Sequence, residues 1–166
     1  GYHGDESATS ALWAGGWLHS GDVVVKGASD SLFFVDRKKN IIRRSGENIA
    51  VAEVENALLK HPAVSGCAVA PVLDLIRGEE VVACIVPSKH VSGTQELANV
   101  IHTFCCERLA YYKTPGYVAF VSAIPTTATQ KISRSEVKQL VARILATGDC
   151  FDLRDQKRRP KLRQEL

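Results

Sequence analysis

The chain has 166 residues, which is the length of about one ordinary domain. Hydrophobic residues make up 45% of it and charged residues 23%, a balance typical of soluble globular proteins. No apolar run approaches the ~20 residues that a membrane-spanning helix needs. The net charge of +3 lies mainly in residues 153–166, which hold six basic and two acidic side chains, so the nearly neutral body argues against nucleic acid as a partner.

The N-terminal end shows no signal peptide, and the chain contains no methionine. We therefore expect a fragment or processed product of a cytoplasmic protein. The five cysteines agree with a reducing compartment, because their number is odd and no pair has the C-x-x-C spacing of a zinc or redox site. Three of them lie in apolar runs, so we expect reduced, structural thiols and no metal site.

Residues 1–16 contain too little apolar surface to fold alone. The composition of residues 8–14 favours a short helix. Two apolar runs, residues 23–25 and 32–35, flank a turn at residues 27–30 and predict a β-hairpin. A lone hairpin is marginally stable in water, so this part looks like the trailing edge of a larger unit.

A polar junction follows at residues 36–40, where four consecutive charged residues separate two apolar segments. Charged side chains are costly to bury, so we expect a solvent-exposed joint between two structural units.

Beyond the junction, hydrophobic spacing and breaker residues predict alternating strands and helices. The predicted strands cover residues 41–44, 64–72, 79–87 and 117–121, and the predicted helices cover residues 51–61, about 92–109 and 133–145. Capping boxes at Ser92 and Ser133 open the last two helices, and Gly148 ends the final one. This order predicts an α+β fold, a small sheet flanked by helices. From residue 149 we expect a basic, flexible tail.

Three places carry polar residues that packing does not require. Asp22 follows a glycine at a strand start, where a carboxylate can accept hydrogen bonds from both hydroxyls of a sugar. Ser45, Gly46 and Glu47 lie in a turn where glycine lets the backbone approach a ligand. Lys131 ends a hydroxyl-rich loop and suits phosphate or carboxylate oxygens. Taken singly, each is more often an ordinary turn or a surface side chain.

Together these residues belong to an ordered series of motifs. The series runs Gly-Trp-Leu-His-Ser-Gly-Asp, Val-Asp-Arg-Lys-Lys-Asn-Ile-Ile, Ser-Gly-Glu-Asn-Ile, Glu-Val-Glu, His-Pro-Ala-Val, Arg-Gly-Glu, Tyr-Lys-Thr-Pro and Pro-Thr-Thr-Ala-Thr-Gln-Lys-Ile. Up to about Leu145, the chain resembles the C-terminal part of the AMP-forming acyl- and aryl-acid–CoA ligases. These enzymes belong to the adenylate-forming superfamily, with luciferase and the adenylation domains of peptide synthetases.

The resemblance implies a two-step reaction. A carboxylate attacks the α-phosphorus of Mg-ATP to give acyl-AMP and pyrophosphate, and the thiol of CoA then displaces AMP. By position in the motifs, Lys131 resembles the lysine that assists the first step, whereas Asp22 and Arg37 resemble contacts to the ribose of AMP. ATP with Mg²⁺, CoA and a carboxylic acid are the expected substrates, and no permanently bound cofactor is expected.

The resemblance also implies domain alternation about a hinge at Lys39. Residues 1–38 would be the trailing end of a large N-terminal domain, residues 39–148 a mobile lid and residues 149–166 the tail. The phosphate loop and the acid pocket would belong to the missing domain, so we expect the 166-residue chain alone to be inactive. The motifs do not indicate which acid is the substrate.

A second set of residues is implied for the thioester step. After rotation about the hinge, Ser45, Gly46 and Glu47 would face the thiol arm of CoA. Arg77 and Lys113 match positions that can contact the CoA nucleotide.

The chain departs from the family pattern at two positions. Gln130 stands where the family usually has glycine, and a non-glycine residue there costs roughly 1–2 kcal/mol if the site needs a positive φ. Leu73 stands where proline is common. We interpret Glu53 and Glu55, which match the family's helix pattern, as surface or capping residues.

Two alternatives remain open. An adenylation unit that loads a carrier protein would share the first step, although peptide-synthetase units favour aspartate at the hinge and a carrier module often follows them. A non-catalytic module would bind nucleotide or a partner through the basic tail.

Overall fold

The computed structural model describes residues 1–157 and shows two compact units, Gly1–Ile41 and Ile42 onward. The first unit begins with α1 (Glu6–Leu12), which starts earlier than predicted. Asp5 caps this helix, because its Oδ1 accepts a hydrogen bond from the Ala8 amide at 2.8 Å.

The predicted hairpin of the first unit is confirmed. Strands β1 (Asp22–Lys26) and β2 (Leu32–Arg37) pair in antiparallel fashion, and a 3₁₀ turn, Lys38–Asn40, follows. The hairpin leaves large apolar side chains in solvent, with Phe33 61% and Phe34 62% exposed. It therefore buries little core of its own.

The prediction that the charged junction at residues 36–40 is exposed to solvent is wrong for one of its residues. Asp36 is only 4% exposed. Its Oδ1 accepts hydrogen bonds from the Arg37 amide at 2.7 Å and from Asn40 Nδ2 at 3.0 Å. Because these donors replace water, the carboxylate can leave solvent.

The second unit is built on a mixed six-stranded sheet. The strands are β3 (Ile41–Arg44), β4 (Glu47–Ala50), β5 (Val64–Asp74), β6 (Gly78–Pro87), β7 (Tyr117–Phe120) and β8 (Phe151–Asp152). The long strand β6 is the centre of the sheet and pairs with β5 and β3 in antiparallel fashion and with β7 in parallel. Strand β4 extends the sheet from β3, and β8 extends it from β7.

Three helices cover the sheet: α2 (Val51–Leu58), α3 (Gln95–Cys106) and α4 (Arg134–Thr147). Successive side chains of β6 point to opposite faces. Val81, Ala83 and Ile85 belong to the core with α2 and α3, whereas Val82 and Cys84 belong to the core with α4. Burial on both faces explains the continuous apolar run of this strand. The predicted α+β fold is confirmed.

Some predicted element ends are wrong. Thr94, not Ser92, caps α3, with its Oγ1 accepting the Leu97 amide at 3.2 Å. Ser133 precedes α4 as predicted, but its hydroxyl donates to Glu136 Oε1 at 2.9 Å and makes no bond to the helix backbone. Strands β4 and β8 were not predicted, because short strands carry little periodic signal.

The prediction that a flexible tail begins at residue 149 is wrong for residues 150–157. Phe151 and Asp152 pair with β7, Leu153 is only 1% exposed, and a 3₁₀ turn, Arg154–Gln156, follows. The apolar residues among the basic ones anchor this segment to the core. The rest of the predicted tail, residues 158–166, lies outside the described residues.

Candidate functional site

The first unit brings together the two predicted ribose contacts. Asp22 and Arg37 are register partners across β1 and β2, and Arg37 Nε lies 2.8 Å from Asp22 Oδ1. Arg37 also donates from Nη1 to the carbonyl of Ser20 at 3.0 Å. The side chain of Arg37 is 52% exposed, so the guanidinium can donate further hydrogen bonds to a ligand.

The predicted hinge residue lies in a solvent-exposed turn. Lys39 is the middle residue of the 3₁₀ turn Lys38–Asn40, just before the division between the units after Ile41. An exposed turn can change its backbone angles without disrupting a core.

The second unit brings the turn that we predicted to face the thiol arm of CoA next to Arg77. Ser45 and Gly46 link β3 to β4 with positive φ angles of 51° and 84°, as a two-residue type I′ turn requires. The Ser45 amide donates to the carbonyl of Arg77 at 2.8 Å. Glu47 is exposed beside this turn.

Arg77 itself ends a hairpin tip held by Asp74. Asp74 Oδ1 accepts hydrogen bonds from the amides of Ile76 at 3.0 Å and Arg77 at 2.8 Å. The Arg77 amide, followed by that of Ile76, holds the pKa of the Asp74 carboxyl below its ordinary value. Leu75 and Ile76 are fully or almost fully exposed, so the tip presents apolar and cationic groups side by side.

Lys113 lies apart from the Arg77 tip in sequence and is anchored differently. Its Nζ pairs with both carboxylate oxygens of Glu53, at 2.6 and 2.8 Å. Glu53 is in the first turn of α2 and is 42% exposed, in agreement with a surface position.

Lys131 is presented by a tight turn. The Thr127 amide donates to the carbonyl of Lys131 at 2.8 Å, and the Gln130 amide donates to the carbonyl of Thr127 at 2.9 Å. Gln130 has a φ of 60°, so the condition for strain at this departure from the family is met. The Lys131 side chain is exposed, and its ammonium group has no carboxylate partner among residues 1–157.

The interpretation of Glu55 as a surface or capping residue is wrong. Glu55 is 8% exposed. Its Oε1 accepts a hydrogen bond from Arg134 Nη1 at 2.5 Å, and its Oε2 accepts one from Arg134 Nη2 at 2.9 Å. Glu55 Oε1 also accepts the Val69 amide at 2.8 Å. The pair therefore ties the start of α4, just beyond Lys131, to α2 and β5.

A buried charged cluster was missed entirely from the sequence. The Glu80 carboxylate accepts hydrogen bonds from Arg44 Nε at 2.8 Å and from Lys157 Nζ at 2.5 Å. Burial lowers the pKa of Lys157 to about 8, although the Glu80 carboxylate opposes this effect. An acidic residue at the start of an apolar strand is a weak sequence signal for a buried ion pair. Lys157 could not be distinguished by sequence from the other basic residues of the tail.

Neither of two cavities in the second unit is lined by a predicted site residue, although Glu53, the partner of Lys113, lines the smaller one. One of about 380 Å³ and one of about 250 Å³ are lined by α2 and α3 with the segments that follow them. Among the described residues, no group of three or more His, Cys, Asp or Glu side chains could hold a metal ion. No helix within residues 1–157 has the length and apolar character needed to cross a bilayer.

A known protein family matches part of the second unit. Residues 53–131 match the family described as the AMP-binding enzyme C-terminal domain. This stretch is similar to the C-terminal domain of AMP-binding enzymes. It contains Glu55, Arg77, Lys113 and Lys131, so the resemblance stated from the motifs is confirmed.

Relatives extend this similarity over most of the chain. It is 39% identical over 143 residues to 4-coumarate-CoA ligase 2 of Narcissus pseudonarcissus, covering 86% of this chain and 25% of that protein. It is 39% identical over 141 residues to 2-succinylbenzoate–CoA ligase of Bacillus cereus, covering 85% of this chain and 28% of that protein. The chain thus spans about a quarter of the length of these relatives.

A solved structure agrees in fold. The o-succinylbenzoate CoA synthetase of Bacillus subtilis, in complex with the acyl-adenylate OSB-AMP, superimposes with a TM-score of 0.74 and 36% identity. The match covers 82% of this chain and 27% of that one. Over the matched region, the fold of this chain is therefore similar to that of part of a CoA synthetase.

Proposed function

We propose that this chain supplies the C-terminal lid of an AMP-forming carboxylic acid–CoA ligase. The overall reaction converts acid, ATP and CoA to acyl-CoA, AMP and pyrophosphate. The observation that carries the proposal is Lys131, an exposed lysine on a hydrogen-bonded turn in a domain whose relatives are acid–CoA ligases.

In the first step, Lys131 lowers an electrostatic barrier. A carboxylate approaches the α-phosphate, and both are anions, so a cation placed between them stabilises the transition state more than the separated reactants. Mg²⁺ accompanies ATP and neutralises charge on the phosphates. Since no carboxylate within residues 1–157 pairs with Lys131, its ammonium group can make this contact.

The nucleotide is held by the pair in the first unit. The carboxylate of Asp22 accepts hydrogen bonds from the ribose hydroxyls, and the exposed guanidinium of Arg37 donates to the ribose oxygens. Their 2.8 Å contact orients each group for the other and for the ligand.

In the second step, the lid turns about Lys39. The Ser45–Gly46 turn then borders the pantetheine arm, because glycine leaves no side chain in the way of the thiol. Glu47, Arg77 and Lys113 contribute further contacts to CoA, and the cations suit its phosphates.

The test is the Lys131→Ala substitution in the ligase that contains this chain. We expect acyl-AMP formation, measured as pyrophosphate release, to fall by about 10²–10³-fold, the typical loss of one transition-state donor. Thioester formation from supplied acyl-AMP should change much less, because Lys131 has left the site by then.

The matched control is Lys138→Ala, an exposed lysine on α4. It should leave both half-reactions unchanged. Equal activity of the Lys131→Ala and control variants would contradict the proposal and favour a non-catalytic binding module. Transfer of the acyl group to a carrier protein but not to CoA would show that the acceptor is a carrier.

A further inference from the structure

A buried cluster of three charged side chains takes no direct part in either half-reaction. Arg44, Glu80 and Lys157, here called the Glu80 cluster, are 3%, 0% and 9% exposed. One carboxylate serves two cations, with Oε2 facing Arg44 and Oε1 facing Lys157. Buried charges persist only when they are paired and hydrogen-bonded, so the three side chains hold one another in place.

Arg44 connects the cluster to two proposed CoA-facing segments. It immediately precedes Ser45 and forms a β-bridge with Gly78, the residue after Arg77. The Ser45 amide bonds the Arg77 carbonyl at 2.8 Å. The turn and the hairpin tip are therefore one backbone unit next to Glu80.

Lys157 connects the cluster to the third segment. Its Nζ donates to the carbonyl of Tyr112 at 3.3 Å, one residue before Lys113. The same Nζ lies 2.5 Å from Glu80 Oε1. The cluster thus spans from the Ser45 turn to Lys113.

The surroundings leave the carboxylate little room to rearrange. A Cβ added at Gly116 would lie 2.6 Å from the Glu80 side chain. The carboxylate also accepts the amide of Val81 at 2.9 Å. Close-packed interiors transmit such constraints to their neighbours.

We infer that Lys157 is a positioning residue for the thioester-forming step, holding the Ser45 turn, the Arg77 tip and Lys113 in one arrangement through Glu80. The inference rests on the proposed function for the role of those three segments. Lys157 lies outside the matched residues 53–131, so the family match does not assign it a role.

The test compares amide hydrogen exchange in Lys157→Met and in the control Lys138→Met, using the 166-residue chain. The first variant leaves Arg44 and Glu80 as a balanced pair, so we expect it to fold. The Ser45 amide, which Lys157 does not touch, should exchange at least about tenfold faster. Amides between β5 and β6 should keep their protection, and the control should change neither.

The reciprocal variant is Arg44→Met, read at the Lys113 amide, which donates to the Ala110 carbonyl at 2.8 Å. That amide should also exchange faster, although Arg44 does not contact it. A connected cluster predicts both remote effects, and either variant alone decides the matter if the other fails to fold. Loss of protection only next to each substitution, or equally throughout the chain, would overturn the inference. Neither exchange measurement depends on CoA ligase activity. Failure of this inference can therefore be distinguished from failure of the proposed function, which the Lys131→Ala substitution tests.

Discussion

Gln130 adopts a left-handed backbone, with a φ of 60°, in the turn that presents Lys131. A side chain in this region crowds the following carbonyl and costs roughly 1–2 kcal/mol. The hydrogen bonds between Thr127 and its partners Gln130 and Lys131 hold the turn in spite of this cost. The Lys131 turn is therefore formed in a strained state.

The strain gives a prediction for Gln130→Gly. Glycine removes the steric cost, while its larger unfolded-state entropy offsets part of the gain, so the free energy of unfolding should rise by up to about 1 kcal/mol. Urea denaturation measures this change. The matched control is Ala128→Gly in the same loop, where φ is not positive and the substitution should lower stability by about 0.5–1 kcal/mol. Equal destabilisation by both variants would contradict strain at Gln130.

At the scale of elements, the Glu55–Arg134 pair joins α2 to the start of α4. Arg134→Gln removes the bidentate partner and leaves a nearly buried carboxylate. We expect unfolding free energy to fall by about 1–3 kcal/mol, less than for a fully buried pair because Arg134 is 30% exposed. Thermal or urea unfolding measures this loss.

The control for that substitution is Arg143→Gln, on the exposed side of the same helix. It should change stability by no more than about 0.5 kcal/mol. NMR relaxation of residues 126–133 should show faster motion in Arg134→Gln than in the control. An unchanged loop would mean that the pair stabilises the helix without orienting Lys131.

The same elements show what could be predicted from sequence. The continuous apolar run of β6 and the helical spacing of apolar residues in α2 predicted these elements correctly, because the burial pattern of a strand or helix is visible within a short stretch of sequence. The ion pairs escaped prediction, because Glu80 and Lys157 lie 77 residues apart and Glu55 and Arg134 lie 79 apart. Local pattern carries no information on which distant charges meet, and motif resemblance named Lys131 but not the residues that support it.

At the scale of the whole molecule, buried thiols make the fold sensitive to alkali. Cys67, Cys84 and Cys105 are at most 5% exposed. Burial raises the pKa of Cys67 to about 12, of Cys84 to about 11 and of Cys105 to about 12. Lys157 acts in the opposite sense, because burial lowers its pKa to about 8.

The sign of the pH dependence follows from proton counts. Above about pH 9 an unfolded thiol loses its proton while the three buried thiols keep theirs, so the folded state binds more protons and stability falls as pH rises. Each thiol contributes up to about 1.4 kcal/mol per pH unit, and Lys157 offsets about one of the three up to pH 10.5. We expect stability to rise slightly between about pH 8 and 9, where folded Lys157 loses its proton before the unfolded lysine does, and to fall steeply between pH 9 and 11. Urea denaturation with a reductant present measures this profile. Cys84→Ala should make this loss shallower, and a flat stability profile up to pH 10.5 would show that the thiols do not govern the alkaline limit.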